Sequence, residues 1–273
     1  VPEQKDKAPS DPRLPPLLAG HRRPACEHPF DAAVSGAEAG RYSAGDLLWS
    51  ESRSHLRIAL VLEPDVPPTR CAEMLFLAMV ASTDAIGTLI PPEVALTYVW
   101  PATLRANGAR VGRARFRQSA DLDEEGAPLW LVVGIEMRLA PVGGDVEPGE
   151  IPHLTSLSDE GAADLDGTLA VEALARHLMT WLHTWEVEGF GPVFENWLFR
   201  ADGYKGEVVL PDPDGDLRGT FLGLDEAGNL LLRPMDAEPV TVVAVPLDRH
   251  LDQLDRLDSL DAALALHSEV TDR

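Results

Sequence analysis

The sequence predicts an α+β fold: a mixed β-sheet with packed helices, followed by a small β-barrel and a terminal helix. Three observations point to it. Two stretches, 69–89 and 166–188, carry apolar residues at helical spacing. Around them lie β-rich runs joined by hairpin-length connections. After residue 205 the pattern changes to short strands separated by turn dipeptides, as in a barrel of about 40 residues.

The elements follow in order. Residues 1–24 are rich in proline and charge and predict a flexible or extended arm. Small residues at helical spacing over 30–42 predict a short helix. The runs 46–51 and 56–63 are separated only by a few polar residues, which predicts a hairpin. Pro67-Pro68 then opens an apolar helix over 69–89, buried on most sides. Strands are predicted over 95–100, 109–118 and 128–139, with the hairpin dipeptide Asn107-Gly108 joining the first two. The acidic stretch 121–127 is a solvated turn. The Gly- and Pro-rich stretch 141–161 is a long loop. In the helix 166–188, Leu169, Leu174, Leu178, Trp181, Leu182 and Trp185 are expected in the core. A short amphipathic helix over 190–200 precedes strands in 206–211, 216–234 and 239–245, with turns at Asp214-Gly215 and Gly228-Asn229. The tail repeats Leu-Asp from Leu247, which on a helix stacks the leucines in one stripe. That helix docks on its own domain or is presented to a partner. The domain reading is thus an arm (1–24), a main domain (25–200), a barrel (201–246) and a terminal helix (247–273).

Composition narrows the function. With 273 residues and 45% hydrophobic composition, the chain can bury one substantial core and a smaller second one. The formal net charge of −22 repels polyanions, so nucleic acid is not an expected partner. No apolar run reaches the length of a transmembrane helix, and the N-terminal stretch lacks the apolar segment of a secretory signal. A cytoplasmic location is expected, with no membrane partner. Lysine occurs only at 5, 7 and 205, so chemistry that needs a buried lysine has Lys205 as its one plausible candidate, and a surface role suits it better. Cys26 and Cys71 are too few for a disulfide framework or closed zinc site. The cluster of His21, Cys26 and His28 reads as a surface loop, and no metal is expected.

The order of parts resembles the biotin/lipoate protein ligase superfamily, specifically a biotin protein ligase catalytic domain with a C-terminal SH3-like barrel. The resemblance spans residues 28–246. It rests on "GDLLWSE", "YVWPATLRANGARVGRARF", "LVVGIEMRL", "HTWEVEGFGPVFENW" and "RGTFLGLDEAGNLLLR", in that order. It implies activation of biotin or lipoate with ATP to an acyl-adenylate, followed by transfer to a carrier lysine. Such chemistry needs fixed cations and backbone N–H donors in a dry cleft. The family supplies them from a Gly/Arg-rich lid loop and from a Lys-Trp-Pro-Asn-Asp motif.

This chain departs at both places. The lid position holds only "SRSH", with Arg53 and Arg57 the nearest cations. In the second motif Trp100 and Pro101 remain, but Val99 stands for the lysine and Ala102-Thr103 for Asn-Asp. Valine neither donates a hydrogen bond nor neutralises a phosphate. By the resemblance, Gly108, Gly112 and Gly134 match positions where backbone nears the ligand. Alternation along 109–118 places Arg113 and Arg115 on one face with Ala109 and Val111. Whether that face turns to the cleft or to solvent stays open. Glu136, as a lone carboxylate in the cleft, would disfavour an anionic ligand. The expected ligand cleft is therefore Trp100, Pro101, Gly108, Gly112, Arg113, Arg115, Gly134 and Glu136, with no assigned catalytic residue. The expected function is a non-catalytic binding or interaction protein. The alternative is a divergent ligase using ATP and biotin, lipoate or octanoate, completed by Arg113, Arg115 or a partner subunit. A structural subunit held by its tail is a third reading. A carrier domain, another protein or a second copy are the candidate partners.

Overall fold

The computed structural model describes residues 11–50, 52–141, 151–212, 214–235 and 241–254. It divides into two units, up to Ala201 and from Asp202 onward.

The first unit is built on a seven-stranded sheet of order β1-β2-β3-β7-β6-β5-β4. Its strands are β1 (Ala19–Arg23), β2 (Asp46–Ser50), β3 (His55–Leu62), β4 (Leu96–Val99), β5 (Thr103–Ala106), β6 (Ala109–Gln118) and β7 (Leu131–Arg138). β1 runs parallel to β2 and every other neighbouring pair is antiparallel. The predicted hairpin of 46–51 and 56–63 is the β2–β3 pair.

Helix α1 (Pro29–Glu38) lies on one face of the sheet. Its Phe30, Ala33 and Ala37 pack with Leu48, Ala59, Val61 and Val132. Gly134 belongs to that face because a Cβ there would stand 2.7 Å from Phe30 Cδ2. Helix α2 (Glu73–Gly87) packs on β4, β6 and β7, with α3 (Gly167–Glu188) and α4 (Gly191–Arg200) packed on it in turn. α2 is therefore buried on nearly all sides, which explains its lack of a polar stripe.

Several expectations change. The arm is not free of the domain throughout: Ala19–Arg23 is a strand paired with β2, and residues 1–10 lie outside the described residues. A parallel partner leaves no local turn signal, so the sequence around Pro24 hides this strand. β5 was also not expected. It places Asn107-Gly108 between β5 and β6, where both residues have positive φ (48° and 89°), as a type I′ turn requires. Trp100-Pro101-Ala102 is instead the connection from β4 to β5, and the Trp100–Pro101 bond is cis. On α3, Leu174 and Leu178 are buried, whereas Leu169 is 51% exposed and Trp181 and Trp185 are only half-buried. Each indole N–H has a carboxylate to meet: Trp181 donates to Asp84 and Trp185 to Glu73. A polar handle of this kind keeps tryptophan at the margin of a core. In the long loop, residues 142–150 are outside the described residues, and the rest is less loose than expected. Leu154 forms a bridge with Arg110, and Ser156 and Leu157 are fully buried.

The second unit holds a four-stranded antiparallel sheet of order β11-β10-β9-β8. Its strands are β8 (Glu207–Leu210), β9 (Leu217–Leu224), β10 (Leu230–Pro234) and β11 (Val243–Val245). Lys205 is exposed here, with Nζ 5.0 Å from the Tyr204 ring centroid. Residues 247–254 are helical; the remainder of the Leu-Asp tail lies outside the described residues.

Candidate functional site

Strand register builds one row of side chains across the α1 face of the sheet. Val99 pairs with Thr103, Thr103 with Arg113, Arg113 with Glu136 and Glu136 with Arg57. Directly paired residues share a face, so the motif-lysine position stands in line with two arginines and a carboxylate. Adjacent strands are about 4.8 Å apart, which sets Val99 roughly 10 Å from Arg113.

Glu136 is the centre of the charged part of this row. Arg57 Nε donates to its Oε1 at 2.6 Å, His28 Nε2 meets Oε2 at 3.4 Å, and Arg113 Nε stands 3.9 Å away. Burial alone would raise its carboxyl. The hydrogen bond from His28 and the charge and hydrogen bond of Arg57 overcome that and hold it well below the usual carboxylate range. Glu136 is therefore ionised but not a lone carboxylate, contrary to the sequence expectation: the protein supplies its counter-ions.

His28 joins this cluster to α1. It is the helix N-cap, and its Nδ1 accepts from the Phe30 N–H at 3.3 Å and from Arg115 at 3.4 Å. An accepting Nδ1 leaves the hydrogen on Nε2, the atom that faces Glu136. Arg115 also pairs with Asp31 at 3.0 Å, and its guanidinium lies 4.2 Å from the Phe30 ring centroid. At the end of β3, His55 pairs in register with Arg138. Burial, reinforced by Arg57, lowers its pKa from 6.5 to about 4, against the opposing pull of Glu136.

Of the expected cleft residues, Arg113, Arg115, Gly134 and Glu136 come together. Gly112 lies beside them but meets backbone: a Cβ there would be 2.1 Å from the Glu136 carbonyl oxygen. Trp100 and Pro101 are buried in the β4–β5 connection, one residue beyond Val99. Gly108 sits at the exposed tip of the β5–β6 turn, with no atom near a Cβ. Arg113 and Arg115 share a face as expected, but Ala109 and Val111 do not join them. Leu104 pairs with Gly112 and Arg105 with Arg110, so Val111 is an extra residue in a bulge. The alternation therefore breaks there, and Val111 is buried at 2% exposure. Sequence reasoning missed His28, Asp31, His55 and Arg138, and treated Arg57 only as a cation near the short connection. His21 and Cys26 do not join His28: His21 faces Asp46 at 2.6 Å, and Cys26 is exposed.

Residues 14–199 match the model of the biotin/lipoate A/B protein ligase family. The chain belongs to that family. It is 28% identical over 185 residues to the biotin–[acetyl-CoA-carboxylase] ligase of Paracoccus denitrificans, covering 68% of this chain and 76% of that protein. A biotin protein ligase-like protein of unknown function from a Silicibacter species is 36% identical, with a TM-score of 0.74, covering 86% of this chain and 97% of that one. The biotin protein ligase of Aquifex aeolicus, solved with biotin and ATP, shares the fold at 16% identity. Its TM-score is 0.62, over 84% of this chain and 96% of that one. Among the described residues, no helix is long and apolar enough to cross a membrane.

Proposed function

We propose that the chain is a non-catalytic member of the ligase family that binds a small ligand or a protein partner through the charged α1 face of its sheet. One observation carries this reading: Val99 holds the motif-lysine position, and the nearest cations in its row are already bound to the protein's own Glu136. An acyl-adenylate brings a carboxylate and a phosphate together, which needs cations free to meet them. Here an incoming anion must compete with a buried, ionised carboxylate for Arg57 and Arg113. The four-residue span from Ser50 to His55 is also too short for a closing lid. We place the protein in the cytoplasm, with a carrier domain or another protein as partner.

The test is incubation of the full chain with ATP and biotin, lipoate or octanoate, followed by pyrophosphate detection and calorimetry. No pyrophosphate is expected with any acid. Pyrophosphate release that depends on the acid overturns the proposal and supports the second reading, a divergent ligase acting on a carrier lysine with ATP and biotin, lipoate or octanoate. Arg113 favours that alternative, because it lies two strands from Val99 in the same row. Loss of turnover in Arg113→Ala would then identify it as the substitute cation.

A further inference from the structure

A recess lies beside α1. Arg23, Glu27, His28, Asp31, Ser35, Arg41 and Tyr42 surround its volume of about 580 Å³, and of these only His28 and Asp31 also touch the Glu136 and Arg115 groups described above. Three features show that the recess is built to hold donors in place. The Tyr42 ring is seated against the helix at Gly36, where a Cβ would stand 2.0 Å from the ring. His21 packs on the same ring at 4.9 Å between centroids, and the Arg23 guanidinium lies 5.6 Å from its centroid.

The charge balance points to the sign of the ligand. Asp31 is engaged by Arg115 at 3.0 Å, while the half-exposed Glu27 meets Arg23 only loosely, at 3.8 Å. The Arg23–Glu27 contact exceeds hydrogen-bond length, so the terminal N–H groups of Arg23, not its buried Nε, are the ones able to meet a ligand. Arg41 has a 3.5 Å contact to the Ser35 carbonyl and, among the described residues, no carboxylate within ion-pair distance. Two guanidinium groups with spare donors, beside the Ser35 and Tyr42 hydroxyls, match an oxyanion, since guanidinium N–H groups bind carboxylate and phosphate in pairs. They do so in a chain whose net charge of −22 would otherwise repel one.

We propose that this recess is a binding site for a small oxyanion, a phosphate or a carboxylate, held by Arg23 and Arg41 with the Tyr42 hydroxyl. The site uses none of the arginines of the Glu136 cluster, although His28 and Asp31 border both, and it stands whether or not the chain has ligase activity. The full chain is titrated with inorganic phosphate and, separately, with benzoate, at ionic strength held constant with chloride, by calorimetry or NMR. Saturable binding of one of the two at millimolar concentration or below is expected, and which one binds distinguishes a tetrahedral from a planar anion. Arg41→Ala and Arg23→Gln should each weaken it at least about tenfold. Tyr42→Phe, which keeps the ring and the packing, should weaken it several-fold without changing the melting temperature. Absence of saturable binding by both anions overturns the proposal, as does affinity unchanged in both arginine variants. So does loss of binding in Arg113→Ala alone, which would place the anion in the Glu136 cluster.

Discussion

Replacing Glu136 by glutamine removes one negative charge and little volume from the α1 face of the sheet. Arg57 and Arg113 then remain beside a neutral amide in a site where their side chains are only 22% and 15% exposed. Removing one partner of a fully buried pair costs about 3–5 kcal/mol, because the other charge is left uncompensated. Partial exposure screens the remainder, so about 2–3 kcal/mol is expected here. For a domain of this size each kcal/mol moves the midpoint roughly 2–4 °C, so the loss corresponds to about 4–12 °C near neutral pH. The sign with pH follows from the depressed carboxyl. Its stabilisation is fully present above the ordinary value of 4.5 and is lost progressively as pH falls from there toward its lower folded-state value. The gap between wild type and Glu136→Gln should therefore persist down to about pH 5 and narrow steadily below it. Phosphate, able to take the vacated place between the guanidinium groups, should raise the midpoint of the variant more than that of the wild type. Thermal melts by circular dichroism read all three quantities. A midpoint within a degree of wild type at neutral pH would show that Glu136 is not the counter-ion of this cluster.

Other perturbations probe the surroundings. Gly112→Ala forces a Cβ to 2.1 Å from the Glu136 carbonyl oxygen, backbone that cannot yield cheaply, and should destabilise by about 3 kcal/mol or more in urea unfolding. Gly134→Ala meets the Phe30 ring at 2.7 Å, which can shift, so about 1–3 kcal/mol is expected. His55 takes up a proton more readily when unfolded, so wild-type stability should fall as pH drops from 6.5 to about 4. The fall should be about 1–2 kcal/mol after solvent screening, and His55→Gln should flatten that part of a urea midpoint profile. Trp185→Phe removes the indole donor to Glu73 but leaves Arg70 bonded to it at 2.8 and 3.0 Å, so about 1–2 kcal/mol should be lost in the same assay.

Local periodicity made the helices and antiparallel hairpins legible. α3 is visible from its leucines and α2 from its unbroken apolar run. What escaped the sequence depends on partners far along the chain. β1 needs β2, reached only after α1. β5 is four residues long and begins two residues after a proline, so no alternation can establish itself there. The same holds for the site. Trp100, Arg113 and Glu136 could be singled out individually. Their meeting with Arg57 and His28 depends on the pairing of β3 with β7 and on the helix cap, neither encoded in a short motif. Counting in twos pairs Arg113 with Arg115 but wrongly adds Ala109 and Val111, because one bulged residue alters the count between them.

That bulge has a consequence for what length changes the chain can bear. From Arg113 to Arg117, three guanidinium side chains share the α1 face, while Ala114, between the first two, is buried. If Val111 were deleted, the bulge would close: Gly112 would still pair with Leu104 and Arg113 with Thr103, and no side chain downstream would change face. Deleting Ala114 instead, where no extra residue is available, with the Asn107-Gly108 turn kept in place, would swap the two faces beyond the cut and turn Arg115 and Arg117 toward α2. The exposed stretch around Asp123 could gain or lose a residue with no such exchange of faces. Tolerance to insertion and deletion in this domain therefore varies sharply within a dozen residues of one strand.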